Sequence, residues 1–300
     1  MQIDINTELV RQLVATQFPQ WSKLEIRTVE FSGWDNRTFH LGESMLVRLP
    51  SAEGYIQQAE KEQRWLPILA KKLPLTIPTL LAKGNPDNIF PWKWGIYRWI
   101  EGETANVNLI TNLPEFANSL AQFLRSLQQI NTSGAPSAGQ HSFFRGASLL
   151  LYDKETRVAI DKLKEEIDTH LAIRIWEDAL TSKWESSPVW FHGDVASDNL
   201  IVKDGQLSAV LDFGCCGVGD PSCDLAIAWT LLLGKSRKEF RTELNIDNGT
   251  WSRGSGWALW KALISIQESK RMNIKAKGQN ARNTLNEIFN DYIEENITTR

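Results

Sequence analysis

Three oxygen-bearing side chains, Asp194, Asn199 and Asp212, carry the clearest chemical potential of this sequence. The residues between Asn199 and Asp212 form two apolar runs joined by Asp204-Gly205, a dipeptide typical of a tight hairpin turn. A hairpin there would bring Asn199 and Asp212 side by side. Carboxylate and amide oxygens suit a hard cation such as Mg²⁺. Asp194, on a loop just before, could accept a proton.

The same segment contains motifs of nucleotide-dependent phosphotransfer. Asp212-Phe213-Gly214 is a D-F-G; in protein kinases the D-F-G Asp and the catalytic-loop Asn hold metal, and the loop Asp accepts the hydroxyl proton. His192 to Asn199 has the form H-G-D-x-x-x-x-N, and Gly219 to Ala226 has the form G-D-P-x-x-D-L-A. Together, in this order and spacing, these motifs resemble the aminoglycoside-phosphotransferase family and its relatives, including macrolide and choline kinases.

The resemblance implies an α+β, bilobal, protein-kinase-like fold with a strand-rich N-lobe and a mainly helical C-lobe. Residues 1–101 would cover the nucleotide, and residues 102–300 would carry the catalytic loop and the acceptor site. The implied cofactors are ATP (GTP is also possible) and Mg²⁺. Asp194 would be the catalytic residue, and Asn199 and Asp212 would hold the metal. The implied partners are the nucleotide and a small-molecule hydroxyl acceptor.

Two neighbouring residues of the motif are expected to be scaffolding. His192 would pack and hydrogen-bond behind the D-F-G turn rather than act as the base. Asp224 precedes an apolar helix, where it is expected to be an N-cap, and by resemblance it would brace the catalytic loop. Asp198 is expected to be solvated.

The first lobe should supply the nucleotide contacts. Kinases place a Lys on the strand after the phosphate-covering loop, and here Met45 to Pro50 offers Arg48, a planar fork rather than a point charge. Its helix partner would be Glu62 or Glu60. The loop of residues 31–37 holds Gly33 but lacks G-x-G-x-x-G. By resemblance to the kinase hinge, adenine would pair with backbone groups at the Arg98 carbonyl and the Ile100 N–H, with Tyr97 behind the pocket.

The acceptor site of the resembled family lies in an acidic cleft of the helical lobe, but the acceptor itself is left open by this sequence. Nothing favours aminoglycosides over macrolides, choline-like alcohols or another metabolite. The candidate lining residues are those of a Ser- and Gly-rich loop region and of the late helices: His141, Phe143, Phe144, Arg145, Asp153, Trp257, Trp260 and Glu268.

The composition narrows the class of partner and compartment. The 300 residues carry a net charge of −3, whereas nucleic-acid binding favours a basic surface. The most apolar stretch, Leu225 to Leu233, is shorter than the roughly 20 residues that span a bilayer. The N-terminus lacks the pattern of a signal peptide. Cys215, Cys216 and Cys223 are then expected to be buried thiols, in a cytoplasmic protein that is a monomer or a homodimer.

Hydrophobic periodicity and turn residues predict the elements around this site. Helices are predicted over 4–18, 53–70, 114–130, 156–171, 173–184, 224–233 and 255–270, and from residue 281 onward. Strands are predicted over 24–29, 37–41, 44–49, 94–100, 188–191, 199–202 and 207–211.

Two other functions compete with a small-molecule kinase. Arg48 and the poor Gly loop suggest a regulatory nucleotide-binding pseudokinase, against which stand the intact Asp194, Asn199 and Asp212. A metal-dependent hydrolase would use His192 with the two aspartates. It would need more histidine ligands, and the sequence has four histidines and no H-E-x-x-H.

Overall fold

The first hundred residues form an antiparallel sheet. The chain is described by a computed structural model that covers residues 3–29, 33 and 35–298. The strand order is β1-β2-β3-β5-β4. Alternate residues such as Phe39, Leu41, Val47 and Leu49 are buried on one face, which gives this sheet its own core. The strands are Ile26–Thr28 (β1), Asn36–Leu41 (β2), Met45–Pro50 (β3), Leu80–Gly84 (β4) and Trp94–Arg98 (β5).

Two helices accompany this sheet. The first, Thr7–Gln17 (α1), buries Val10, Leu13 and Val14 in the core of the sheet. The second, Ile56–Leu69 (α2), contributes Trp65 and Leu66 to the core of the other lobe. The helix α2 therefore lies between the lobes, where its polar side chains can reach the site described below.

The remainder of the chain is mainly helical. It contains a three-stranded sheet of order β6-β8-β9 and a two-stranded pair of β7 with β10. Its helices are Leu113–Gln128 (α3), Asp153–Lys162 (α4), Thr169–Thr181 (α5), Ile227–Thr230 (α6), Lys235–Leu244 (α7), Asn248–Met272 (α8) and Lys275–Thr298 (α9). Its strands are Glu103–Thr104 (β6), Val189–Phe191 (β7), Leu200–Lys203 (β8), Gln206–Val210 (β9) and Gly217–Gly219 (β10).

The predicted fold class is confirmed: a strand-rich first lobe precedes a mainly helical second lobe. The sheet of the first lobe ends at Arg98, and β6 already pairs with β8. A division between residues 101 and 102 stays a prediction. Within the described ranges, no helix has both the length and the apolar character needed to cross a bilayer.

Several element predictions differ from the structure. The break between α4 and α5 lies at residues 163–168 rather than at 172, because Asp168 caps α5 by accepting the Leu171 N–H at 2.9 Å. The predicted helix over 224–233 is a 3₁₀ segment followed by the short α6. The helix α7 was not predicted. Its buried face includes the charged Arg237, which interrupts the hydrophobic pattern and pairs with Glu287 and Asp291 of α9.

Candidate active site

The loop that follows β7 is held by one buried carboxylate. Asp224, which is 1% exposed, accepts the backbone N–H of His192 at 2.8 Å and that of Gly193 at 2.6 Å. Gly193 has φ 86°, and a Cβ there would lie 2.7 Å from the Cys215 carbonyl oxygen, so this turn requires glycine. The bracing role expected of Asp224 is thus seen. The N-cap prediction is wrong, because Asp224 lies inside the 3₁₀ segment that Asp220 caps.

The His192 ring is committed to the scaffold. Its Nε2 lies 2.8 Å from the Leu211 carbonyl oxygen, and its Nδ1 accepts the Asp194 N–H at 3.2 Å. The ring also packs edge-on against Phe213 with centroids 4.7 Å apart. Because both nitrogens have backbone partners, His192 is placed neither to take a proton from a ligand nor to bind a metal. This placement argues against the metal-dependent hydrolase, which would use His192 as a ligand.

The strands β8 and β9 bring Asn199 and Asp212 together. Leu200 pairs with Val210, and the Leu211 N–H donates to the Asn199 carbonyl at 2.7 Å. The two residues that flank this end of the hairpin are therefore neighbours, as the Asp204-Gly205 turn predicts. The Asn199 Nδ2 donates to the Asp194 carbonyl at 2.9 Å and to its carboxylate at 3.2 Å. The amide oxygen of Asn199 is left to bind a cation.

Three carboxylates lie close enough around this point to interact electrostatically. Asp35, which immediately precedes β2, is half-buried, and burial together with the carboxylates of Asp212 and Asp194 raises its pKa to about 6. Among the residues that the structure describes, no cluster of three or more His, Cys, Asp or Glu has the geometry of a protein-only metal cage. Two protein oxygens, from Asn199 and Asp212, suit Mg²⁺, which completes its shell with waters and phosphates. The donor set therefore fits the predicted metal.

The choice between Glu62 and Glu60 is decided by packing. Arg48 Nη1 lies 3.2 Å from Glu62 Oε2, and both side chains are largely buried. Glu60 instead pairs with Lys93 at the surface. Although burial opposes its charge, the carboxylates of Glu62 and Asp212 raise the pKa of Arg48 above its usual range.

Glu62 also connects the two lobes. Its Oε1 accepts the backbone N–H of Phe213 at 3.1 Å. The guanidinium of Arg48 lies over the Tyr97 ring, 5.4 Å from its centroid. The Glu62 side chain of α2 thus joins the predicted cationic strand residue, Arg48, to the D-F-G turn.

The predicted hinge begins at Arg98, the last residue of β5. The Trp99 N–H donates to the Ser44 carbonyl at 2.8 Å, and the Arg98 N–H donates to the Thr79 carbonyl on the other side at 2.9 Å. Because the N–H and the carbonyl of one residue point to the same side of an extended chain, the Arg98 carbonyl faces away from β3. That this carbonyl and the Ile100 N–H bind adenine stays a prediction.

The phosphate-covering loop is only partly described. Gly33 is exposed, and its carbonyl accepts Arg37 Nη1 at 3.2 Å. A Cβ at Gly33 would meet nothing within 4 Å, so this position has no steric need for glycine. The predicted loop residues Phe31, Ser32 and Trp34 lie outside the described residues, and the role of Gly33 stays a prediction.

Asp194 has two cationic neighbours, one of which the sequence did not suggest. Lys261 Nζ of α8 and Arg145 Nη2 lie 3.4 Å and 3.7 Å from its Oδ1. Although burial favours its neutral form, Lys261 and Arg145 lower the pKa of Asp194 below the usual carboxylate range. The ionised form, which can accept a hydroxyl proton, is thereby favoured. Lys261 follows Trp257 by one helical turn, and this spacing was the available signal.

Arg145 is presented by an unusual loop. Phe143 and Phe144 both have positive φ, 49° and 58°, a conformation that is uncommon for bulky residues. Such residues cost about 1–3 kcal/mol each and cluster at functional sites. The Tyr152 hydroxyl donates to the Phe143 carbonyl, and the Arg145 guanidinium donates to Cys215 Sγ at 3.3 Å. The predicted lining loop is therefore held in place by specific contacts.

The acidic acceptor cleft that the resemblance implies stays a prediction. Among the described residues that line the cavity beside Asp194, Asp194 is the one carboxylate. Two acidic candidates are engaged elsewhere: Asp153 bonds Arg157 and the Trp176 indole, and Glu268 pairs with Lys277.

The cysteines of this region are buried, as predicted. Burial raises the pKa of Cys215 and of Cys216 to about 12. These thiols stay protonated near neutral pH, so they are packing groups rather than nucleophiles.

Comparison with known proteins finds similarity over most of the chain. A model described as "Phosphotransferase enzyme family" matches residues 25–263. A curated relative, an aminoglycoside 3'-phosphotransferase from Escherichia coli, is 28% identical over 162 residues, which cover 53% of this chain and 58% of that relative. The chain therefore aligns with little more than half of that relative's length.

Solved structures share the fold over nearly the whole chain. The GDP complex of wild-type aminoglycoside 2'-phosphotransferase-IIIa has TM-score 0.70 at 15% identity and covers 96% of this chain and 100% of that one. A macrolide 2'-phosphotransferase type I has TM-score 0.61 at 16% identity and covers 94% and 97%. At these identities the likeness establishes the kinase-like fold.

Proposed function

Because this chain belongs to the phosphotransferase enzyme family, we propose that it is a small-molecule kinase that transfers the γ-phosphoryl group of ATP to an acceptor hydroxyl. The observation that carries the proposal is the joint placement of Asp194, Asn199 and Asp212 on one braced loop and hairpin. GTP is an alternative donor, because a hinge that binds the base through backbone groups has no side chain that selects adenine over guanine.

Each lobe has its part in this proposal. Residues 1–101 cover the nucleotide, with Arg48, oriented by Glu62, on the phosphates and the backbone of Arg98 and Ile100 on the base. Residues 102–300 hold the catalytic loop and the acceptor. Mg²⁺ would be held by the Asn199 amide oxygen and the Asp212 carboxylate, where it would neutralise phosphate charge.

Asp194 accepts a hydrogen bond from the acceptor hydroxyl and orients it for in-line attack. The bond from the acceptor oxygen to the γ-phosphorus forms as the bond from that phosphorus to the β–γ bridging oxygen breaks. The nucleoside diphosphate leaves, and the hydroxyl proton passes to Asp194. Lys261 and Arg145 keep this carboxylate ionised beforehand. Phosphoryl transfer needs mainly positioning and charge neutralisation, so a carboxylate of low pKa is basic enough.

The test removes the carboxylate while preserving its shape. Asp194→Asn should lower acceptor-dependent nucleotide turnover by about 10²–10⁴-fold, the usual worth of a general base. Nucleotide binding, followed by calorimetry with Mg²⁺ and a non-hydrolysable ATP analogue, should change little.

A matched control is available on the same loop. Asp198 is exposed and its carboxylate accepts only the neighbouring Ser197 hydroxyl among the described residues, at 3.0 Å. Asp198→Asn should leave turnover within about twofold. Wild-type turnover by Asp194→Asn would refute the assignment. Nucleotide binding by the wild type, with no turnover across amino sugars, macrolides and amino alcohols, would favour the pseudokinase alternative instead.

A further inference from the structure

The cavity beside Asp194 carries more positive than negative charge. Arg145 and Lys261 both line it, and both approach the same oxygen, Oδ1 of Asp194, at 3.7 Å and 3.4 Å. Two cations therefore share one carboxylate. When Asp194 accepts a hydrogen bond from an acceptor hydroxyl, its carboxylate neutralises the two cations less completely. Among the described lining residues, it is the one carboxylate that both cations share.

The carboxylates around the cavity are already engaged. Glu155 accepts the Trp260 indole N–H at 2.8 Å. Glu268, farther along α8, pairs with Lys277 at 2.8 Å. Neither carboxylate is paired with Lys261 or Arg145 among the described residues, so Asp194 is the one carboxylate that both cations approach within 4 Å. An acceptor that carries several ammonium groups would meet cations there instead of the carboxylates that it needs.

The other polar groups of the cavity wall are also donors. Trp257 is 3% exposed, and its indole N–H is buried without a hydrogen-bond partner in the described part of the chain. Tyr152 packs against Trp257 and Trp260, with ring centroids 5.2 Å and 4.4 Å away. A lysine, an arginine and an indole have donors but no acceptors, so apart from the Asp194 carboxylate these groups are complementary to a ligand rich in acceptor atoms.

Resting on the phosphotransfer proposed above, we propose that the acceptor is an alcohol that also bears an oxyanion, a carboxylate or a phosphate ester. Lys261 and Arg145 bind the oxyanion, while the hydroxyl group lies at Asp194. The side chain of Lys261 is 45% exposed, which leaves it free to move from Asp194 to the ligand. Arg145 is more enclosed and is positioned by its loop.

The experiment compares matched alcohols that differ in charge. One set is glycerate, glycerol and 2-amino-1,3-propanediol, and the other is glucose 6-phosphate, glucose and glucosamine. Acceptor-dependent ADP release gives kcat/KM for each compound with the wild-type protein. At least one oxyanion should exceed its neutral partner by about tenfold and its cationic partner by more. The preferred set distinguishes a carboxylate from a phosphate.

The variant Lys261→Gln tests the residue. It should reduce the oxyanion-to-neutral ratio by about tenfold, corresponding to about 1.4 kcal/mol. The ratio matters, because a role of Lys261 confined to Asp194 would slow all acceptors alike and leave it unchanged. Arg271→Gln is the matched control, since Arg271 is an exposed cation near the end of the same helix, and the ratio should stay at the wild-type value.

The outcomes separate this inference from the function on which it rests. Failure of Mg²⁺–nucleotide binding, measured by calorimetry, would overturn both. With nucleotide binding intact, a preference for the cationic partner, an unchanged ratio in Lys261→Gln, or no turnover of either oxyanion would overturn the acceptor class alone. Turnover of kanamycin with no turnover of either oxyanion would leave the kinase standing and the inference refuted.

Discussion

Replacing Glu62 by Gln tests the connection between the lobes. Glu62 is 3% exposed, and its partner Arg48 is 16% exposed, at 3.2 Å. At an effective dielectric constant of about 20, two charges at that distance interact by about 5 kcal/mol. Glutamine keeps one oxygen for Arg48 or for the Phe213 N–H, so part of this is retained. Breaking a buried pair typically costs about 3–5 kcal/mol, and we expect about 3 kcal/mol here.

Two measurements should record the loss in Glu62→Gln. The free energy of unfolding, from urea denaturation, should fall by about 3 kcal/mol. The apparent affinity for Mg²⁺–ATP should fall by up to about a hundredfold, since each 1.4 kcal/mol corresponds to a factor of ten. The reason is that an unpaired Arg48 is no longer held toward the phosphates, and the D-F-G turn loses its contact with α2.

The chain supplies the control on the same helix. Glu60 and Lys93 form an ion pair at 2.9 Å, but both side chains are about half exposed. Surface pairs of this kind contribute about 0–1 kcal/mol, so Glu60→Gln should leave both measurements close to wild type. The reasoning is refuted if Glu62→Gln retains wild-type stability and nucleotide affinity, or if the two variants lose equally.

Further predictions concern the strand cation, the catalytic loop and a helix cap. Arg48→Lys should keep nucleotide affinity within about tenfold, because charge remains although the planar stack on Tyr97 is lost; a calorimetric loss beyond a hundredfold contradicts this. Gly193→Ala should lower the free energy of unfolding by more than about 1 kcal/mol, since its φ is 86°, and it should lower turnover as well; unchanged turnover would show that the turn tolerates a side chain. Asp247 caps α8 by accepting the Thr250 N–H at 2.8 Å, so Asp247→Ala should cost about 1 kcal/mol of unfolding free energy at pH 7. Burial opposes its charge, but the bonds from Thr250 lower the pKa of Asp247. The charge-dependent stability is therefore present above the unfolded pKa of about 4 and is lost as pH falls through the folded pKa; urea titrations at pH 7 and pH 3 should show the variant's deficit shrinking.

The cavity beside Asp194 has a different charge from the acidic acceptor cleft that the resemblance implies. The family resemblance led us to expect an acidic cleft, and several candidates named from the sequence do lie near Asp194. Glu268 is instead paired with Lys277, and Lys261, which the sequence analysis did not name, faces Asp194.

Some features were decided by the sequence itself. Asp194, Asn199 and Asp212 come together because a short loop and one hairpin connect them, so local turn chemistry suffices to make them neighbours. The strand-rich and helical lobes were also predictable, because the hydrophobic periodicity of strands and helices can be read from short stretches of sequence. Motif spacing therefore predicted the candidate catalytic cluster directly.

Other features required the tertiary structure. Glu60 and Glu62 are both charged residues of one helix, and only the packing of α2 buries one of them against Arg48. Lys261 lies in a helix far from Asp194 along the chain, where a lysine usually indicates a solvated surface. Such long-range pairs depend on how helices and sheets pack, and nothing in the local pattern of a single sequence records that packing.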